Sequence, residues 1–116
     1  MLYAIKVNQI GEGAVVSRMC ADFIRALLEQ GHQVRAVFFY HSGVEVAFNQ
    51  QMADDCGWGE LSAEASINLV YCSSAATARN LRSNSCLPYF VAGGLGIWID
   101  ACLSADRVIS FGDPRP

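Results

Sequence analysis

Histidine, charge and long apolar runs are scarce in this chain, and each scarcity excludes something. Two histidines, His32 and His41, and no C-x-x-C pair leave little from which a structural zinc site could be built. Only 16% of the 116 residues are charged, the formal net charge is −3, and no basic run occurs, so direct nucleic-acid binding is not expected. No apolar run reaches the roughly 18 residues that cross a bilayer. The opening MLYAIKVNQIGEG lacks the basic start, apolar core and small-residue cleavage site of a secretory leader, and reads as a first strand. The expectation is a cytoplasmic protein without membrane contact. In that compartment the five cysteines, Cys20, Cys56, Cys72, Cys86 and Cys102, are expected as free thiols rather than a disulfide framework.

What is abundant is apolar surface. Hydrophobic residues make up 53% of the chain. A sheet covered on both faces would absorb much of this, and the surplus suits a subunit with further surface buried against partners. The length corresponds to one domain over residues 1–116.

Leu2–Val7 reads as a strand and Asn8–Gly13 as a turn. Gly11-Glu12-Gly13 resembles the start of a dinucleotide fingerprint, but Val16 occupies the place of the third small residue, so a flexible strand-to-helix turn is the simpler reading. Ala14–Gln30 has helical periodicity, with Val16, Met19, Cys20, Phe23 and Leu27 as the buried stripe. Arg18/Asp22 and Arg25/Glu29 are opposite-charge pairs four apart, and Gly31 is a C-terminal stop. Cys20 lies in the stripe and reads as a small core residue. Gln33–Tyr40 is a second strand, which makes a βαβ unit and a mainly parallel sheet. His41 follows at the strand's carboxyl end, either poising a thiol or as a solvated loop residue.

Val44–Glu64 is the least regular stretch, with a short helix over Trp58–Glu64, and is read as a functional or partner-facing loop. Cys56 within it is expected to be more exposed than Cys20. It is either a resolving thiol for Cys72 or incidental.

Ile67–Tyr71 is an apolar third strand, followed directly by Cys72 and then by Ser73, Ser74 and a run of small residues that predicts a helix to about Arg82. Carboxyl ends of strands are where open α/β sheets place their sites. A helix N-terminus favours a thiolate. Cys72 is thus a candidate working thiol, with backbone N–H groups and hydroxyls of Ser73 and Ser74 as candidate stabilisers of the anion. The plainer alternative is a packing cysteine. Arg79 and Arg82 are expected to complement the negative end of that helix. Tyr89–Ala92 reads as a fourth strand, Leu95–Ser104 as a helix buried all round, in the core or in a subunit interface, Val108–Phe111 as a last strand, and Gly112–Pro116 as the close of the domain.

These segments resemble the DsrE/TusD family of sulfur-relay subunits. The resemblance rests on Leu28-Glu29-Gln30-Gly31-His32, on Val37–Tyr40 with Gly43-Val44 after it, on Cys72 between its strand and small-residue helix, and on Gly94-Leu95-Gly96 with Ala105–Phe111 at the end. It implies an α/β, Rossmann-like three-layer sandwich with about five mainly parallel strands. It also implies a sulfurtransferase that carries sulfur as a persulfide on Cys72, with no metal or organic cofactor. The partners implied are DsrF/TusC-like and DsrH/TusB-like subunits, a TusA-like donor and a DsrC/TusE-like acceptor, serving tRNA 2-thiouridine synthesis or dissimilatory sulfur oxidation. The Tyr40–Cys72 stretch is shorter than in typical members, and Cys56 and Cys86 map onto no family function. Two other readings stand beside it: a non-catalytic subunit that shapes a complex, and a nucleotide-binding domain. The second lacks an acidic residue at the end of the second strand, where Tyr40-His41 stands.

Overall fold

The computed structural model describes residues 1–112; the predicted close of the domain at 113–116 lies outside them. Five strands, β1 (Leu2–Val7), β2 (Gln33–Phe39), β3 (Asn68–Cys72), β4 (Phe90–Gly93) and β5 (Arg107–Phe111), form one sheet in the order β4-β3-β2-β1-β5. Every pairing is parallel. The helices are α1 (Val15–Glu29), α2 (Gln50–Cys56), α3 (Trp58–Ala65), α4 (Ser73–Ala78) and α5 (Leu95–Ser104). Parallel crossovers are right-handed. The crossovers from β1 to β4 therefore lay their helices on one face, and the jump back to β5 carries α5 to the other. The result is the expected three-layer α/β sandwich.

The two faces are unequal. Ile5, Val7, Val37, Phe39, Leu69 and Tyr71 are buried beneath Cys20, Ile24 and Trp58. The opposite face is covered by α5 alone, whose Ala101 packs on Ala4 and Ala36 and whose Trp98 stacks on Phe38 at 5.9 Å. Two alanines on adjacent strands let the helix approach the sheet closely.

Several expectations are corrected. The first helix begins at Val15, because Gly13 and Ala14 both adopt positive φ. Its buried stripe is Ser17, Cys20, Ala21, Ile24 and Leu27, while Met19 is exposed. Small residues face the sheet, and the flexible thioether stays on the flank. Arg25 pairs with Asp22 at 2.9 Å rather than with Glu29, and also donates to the Cys56 carbonyl. The 44–64 stretch is almost wholly helical: the helix expected over Trp58–Glu64 is α3, but a 3₁₀ segment over His41–Phe48 and then α2 precede it where a loop was expected. Asn49 Oδ1 caps α2 by accepting the Met52 N–H at 3.0 Å, and Gly57 at φ 77° turns the chain into α3. Burial of Val44, Val46, Ala53, Trp58 and Leu61 outweighs the weak local periodicity.

The helix after Cys72 stops at Ala78 instead of Arg82. Asn80 takes φ 61°, Asn80 N–H bonds to Thr77 O at 3.0 Å, and Leu81 N–H to Ala76 O at 2.9 Å. This is a Schellman stop with asparagine in the left-handed position. Gly31 ends α1 by the same pair of bonds, with Gly31 N–H on Leu28 O and His32 N–H on Leu27 O.

Only Ala101 of α5 is buried, so of the two places expected for this helix, the core or a subunit interface, the core is excluded. Leu95, Ile97, Ile99 and Leu103 are exposed, together with Val91 and Val108 of the strands beside it. Leu95, Ile99 and Leu103, spaced four apart, form one exposed apolar ridge of α5, the kind of surface that marks an interaction face.

Candidate functional site

Cys72 is the last residue of β3 and the residue from which α4 springs. It stands opposite Gly93 of β4. Along β3, side chains alternate between faces. Tyr71 joins the core under the long helices, while Val70 and Cys72 share the α5 side. Cys72 is buried, with 3% of its surface accessible. The helix beginning at Ser73 has six residues, so its end-charge contribution is smaller than the predicted ten-residue helix would give.

The supporting residues fall as follows. Ser73 and Ser74 are both exposed in the first turn of α4. The Ser73 hydroxyl donates to the Gly93 carbonyl at 3.3 Å, tying α4 to the end of β4. The β2–β3 register runs to Phe39 opposite Tyr71. Continued by one residue, it sets Tyr40 beside Cys72, after which His41 leaves the strand as the first residue of the 3₁₀ segment. His41 has φ 48° and its imidazole stacks on the Tyr40 ring at 4.1 Å. It makes no hydrogen bond to Cys72 among the described residues.

Cys56 is not the exposed thiol expected from its polar neighbours. It is buried against α1, and its S–H donates to Ser17 Oγ at 3.5 Å. The same oxygen accepts the indole N–H of Trp58 at 2.9 Å. Burial, with Cys56 close by, pushes the Cys20 thiol far above its ordinary range. Cys86 is half-buried and directs its thiol to the Phe90 carbonyl at 3.8 Å. Cys102 lies in α5, where burial raises its pKa and nearby Lys6 partly offsets the rise.

The glycines at 11 and 13 serve the backbone. Both have positive φ, and a Cβ at Gly11 would fall 2.7 Å from Val16 Cγ2. In open sheets the ligand crevice forms where strand order reverses, here between β1 and β5. That place is closed. Asn8 N–H donates to Phe111 O at 2.8 Å, and a Cβ at Gly112 would fall 3.0 Å from Gln9 N.

Two features escaped sequence reading. Lys6 Nζ lies over the rings of Tyr40 at 5.0 Å and Trp98 at 5.9 Å, on the Cys72 side of the sheet. An alternating strand gives no sign of such a contact. The second is an open cleft of about 630 Å³ running along α4, bounded by the residues on either side of Cys72, Tyr71 and Ser73, and reaching Arg82. Arg82 is far from its predicted place because α4 ends early. Arg79, by contrast, caps α4 and lies 3.8 Å from the Glu45 carboxylate.

Comparison with known proteins agrees with this architecture. The DsrE/DsrF-like family model matches residues 1–111. DsrE of Allochromatium vinosum, provisionally named a sulfurtransferase, is 30% identical over 130 aligned positions covering 97% of this chain and all of the relative. A protein named sulfurtransferase TusD homolog from Vibrio parahaemolyticus is 31% identical, with 96% of this chain and 98% of the relative covered. Among solved structures, MTH1491 of Methanobacterium thermoautotrophicum, titled a protein of unknown function, superposes with TM-score 0.76 at 15% identity, covering 93% of this chain and 97% of that one. The ychN protein of E. coli superposes with TM-score 0.72 at 17% identity, covering 96% of this chain and all of that one. The two structures speak to the fold, and the family model and the two sequence relatives speak to descent. With its all-parallel sheet, its cysteine at the end of β3 and this near-complete match, the chain belongs to the DsrE/DsrF-like family.

Proposed function

We propose that this chain is a cytoplasmic sulfur-relay subunit that accepts sulfur as a persulfide on Cys72 and hands it to a partner protein. The observation that carries the reading is the position of Cys72 at the carboxyl end of β3, where β3 turns into α4, in a chain whose relatives are named as sulfurtransferases.

The chemistry needs only thiols. The Cys72 thiolate attacks the terminal sulfur of a donor persulfide R–S–SH. A new S–S bond forms, the donor's S–S bond breaks, and R–S⁻ leaves, giving Cys72–S–SH. An acceptor thiolate then attacks the same terminal sulfur and returns Cys72 as thiolate. No net oxidation occurs in either step. The N–H groups of Ser73 and Ser74, in the first turn of α4, are suited to stabilising the anion, with His41 on the neighbouring strand's loop as a proton acceptor. The apolar α5 face is the surface on which DsrF/TusC-like and DsrH/TusB-like subunits would seat, and TusA-like and DsrC/TusE-like carriers would be donor and acceptor. The pathway served would be tRNA thiolation or sulfur oxidation.

One observation favours a second reading. At 3% accessibility in the isolated chain, Cys72 is as enclosed as a packing residue, which fits a non-catalytic subunit whose partners hold the chemistry. Intact and peptide mass spectrometry after exposure to a persulfide donor separates the two. A sulfur carrier gains 32 Da (about one sulfur atom) on the Cys72 peptide, reversed by reductant, kept in Cys56→Ser and absent in Cys72→Ser. No gain, or sulfur scattered over all the cysteines, would favour the structural subunit.

A further inference from the structure

Lys6 is the one lysine of the chain. It lies in β1 between Ile5 and Val7, and strand alternation puts it on the α5 side with Ala4. That layer is otherwise apolar, built from Ala4, Ala36, Phe38, Trp98 and Ala101. A half-buried ammonium there loses hydration. Two aromatic rings replace part of it, with Nζ 5.0 Å from the centre of the Tyr40 ring and 5.9 Å from that of Trp98. No carboxylate pairs with Lys6 among the described residues. Other charges nearby neutralise one another: Arg35 meets Asp100 of α5 at 3.9 Å, and Arg79 beyond α4 meets Glu45 at 3.8 Å. Lys6 therefore leaves an uncompensated positive charge on this face of the sheet.

That charge is close to Cys72. Tyr40 extends β2 beside Cys72 on the same face, and neighbouring strands stand about 4.8 Å apart. With the further step from the Tyr40 ring to Nζ, the ammonium lies on the order of 10 Å from the Cys72 sulfur. Its field is felt by another thiol of the layer: burial raises the Cys102 pKa and Lys6 opposes the rise. We propose that Lys6 is the steering charge of the Cys72 site, drawing a negatively charged sulfur donor onto the thiol and so making the preferred donor an anion. The chain as a whole carries −3 and would repel such a donor, so the attraction has to be local. The choice of donor rests on the relay reading; the local attraction of anions to Cys72 does not.

The test uses the full-length protein and two alkylating reagents of near-equal size, iodoacetate, an anion, and iodoacetamide, which is neutral. Each forms a thioether with the Cys72 thiolate and releases iodide. The ratio of the two rates therefore cancels thiol ionisation and access, and leaves the charge around the sulfur. Rates are read on the Cys72 peptide by mass spectrometry, at low ionic strength, in the wild type, Lys6→Met, Lys6→Arg and Arg18→Met. Methionine keeps an unbranched stem between the two rings, and arginine keeps the charge over them.

The iodoacetate-to-iodoacetamide ratio should fall about two- to tenfold in Lys6→Met, the effect of one charge at that distance between water-like and protein-like dielectric. Lys6→Arg should restore it, and Arg18→Met, across the sheet on α1, should leave it at the wild-type value. Added salt should lower the ratio in the wild type by screening the same charge, a readout that needs no variant to fold. A ratio indifferent to Lys6→Met, a Lys6→Arg chain that behaves like Lys6→Met, or a Cys72 that neither reagent modifies in the folded protein would overturn the proposal. Sulfur loading of the wild type at Cys72 is read separately. Loading with an unchanged ratio removes the steering charge alone; a ratio that falls without loading removes the relay alone.

Discussion

Gly93 of β4 stands opposite Cys72 of β3, where β3 leads into α4 and β4 leads toward α5. Its carbonyl accepts the Ser73 hydroxyl at 3.3 Å. A Cβ added there would fall 2.6 Å from Val70 Cγ1 and 2.7 Å from Ile97 Cδ1. Glycine is needed here for closeness, because β4 must lie tight against both Val70 and the first turn of α5.

Gly93→Ala should therefore destabilise the chain by about 1–3 kcal/mol, the range for overpacking a filled site. Gly94→Ala, with open space around its Cβ, should cost far less. Urea unfolding of the two variants side by side checks this. Equal midpoints would show that α5 yields freely.

The Ser17 hydroxyl serves both the Trp58 indole and the Cys56 thiol inside the core. Ser17→Ala would leave the indole N–H buried without a partner, at a cost of about 1–3 kcal/mol. Pairing it with Trp58→Phe should give a smaller loss than the two single changes added together. Strict additivity in denaturant unfolding would mean that the hydrogen bond contributes nothing.

Leu103 is 82% exposed and Ile99 57%. Replacing both with glutamate should alter the stability of the isolated chain by no more than about 1 kcal/mol, since neither site lies in the core. The same change should abolish co-purification with a DsrF/TusC-like subunit. Assembly that survives unchanged would move the partner surface away from α5.

The Cys20 thiol holds its proton more tightly in the folded chain than in the unfolded one, because burial penalises the thiolate and Cys56 adds repulsion. Its contribution is complete below the ordinary thiol pKa of about 8.5 and is lost as pH rises beyond it. Stability should fall by up to about 1.4 kcal/mol per pH unit from this group alone above that point. Cys20→Ala should flatten the fall, with Tyr71, Tyr89 and Cys102, also raised by burial, keeping a residual slope. Urea midpoints between about pH 8 and 10.5 measure it. An unchanged slope would show that the proton on Cys20 is not linked to folding.

The sequence by itself determined the five strands within a residue or two, the parallel sheet, and the junction that puts Cys72 at a strand's carboxyl end. The physical reason is locality. Runs such as Val37–Phe39 and Leu69–Tyr71 are apolar on both faces, Gly31 can take the left-handed stop of α1, and a strand–helix–strand order admits little besides a parallel sheet.

Tertiary structure alone decided the rest. It turned residues 44–56 into helical structure, because buried Val44, Val46 and Ala53 outweigh weak local propensity. It ended α4 at an asparagine, a residue that takes the left-handed conformation less often than glycine, and so moved Arg82 from a helix end into the wall of a cleft. It buried Cys56 and left α5 uncovered. Polarity along the chain records neither which face a neighbouring element occupies nor that one helix must cover a whole side of a five-stranded sheet.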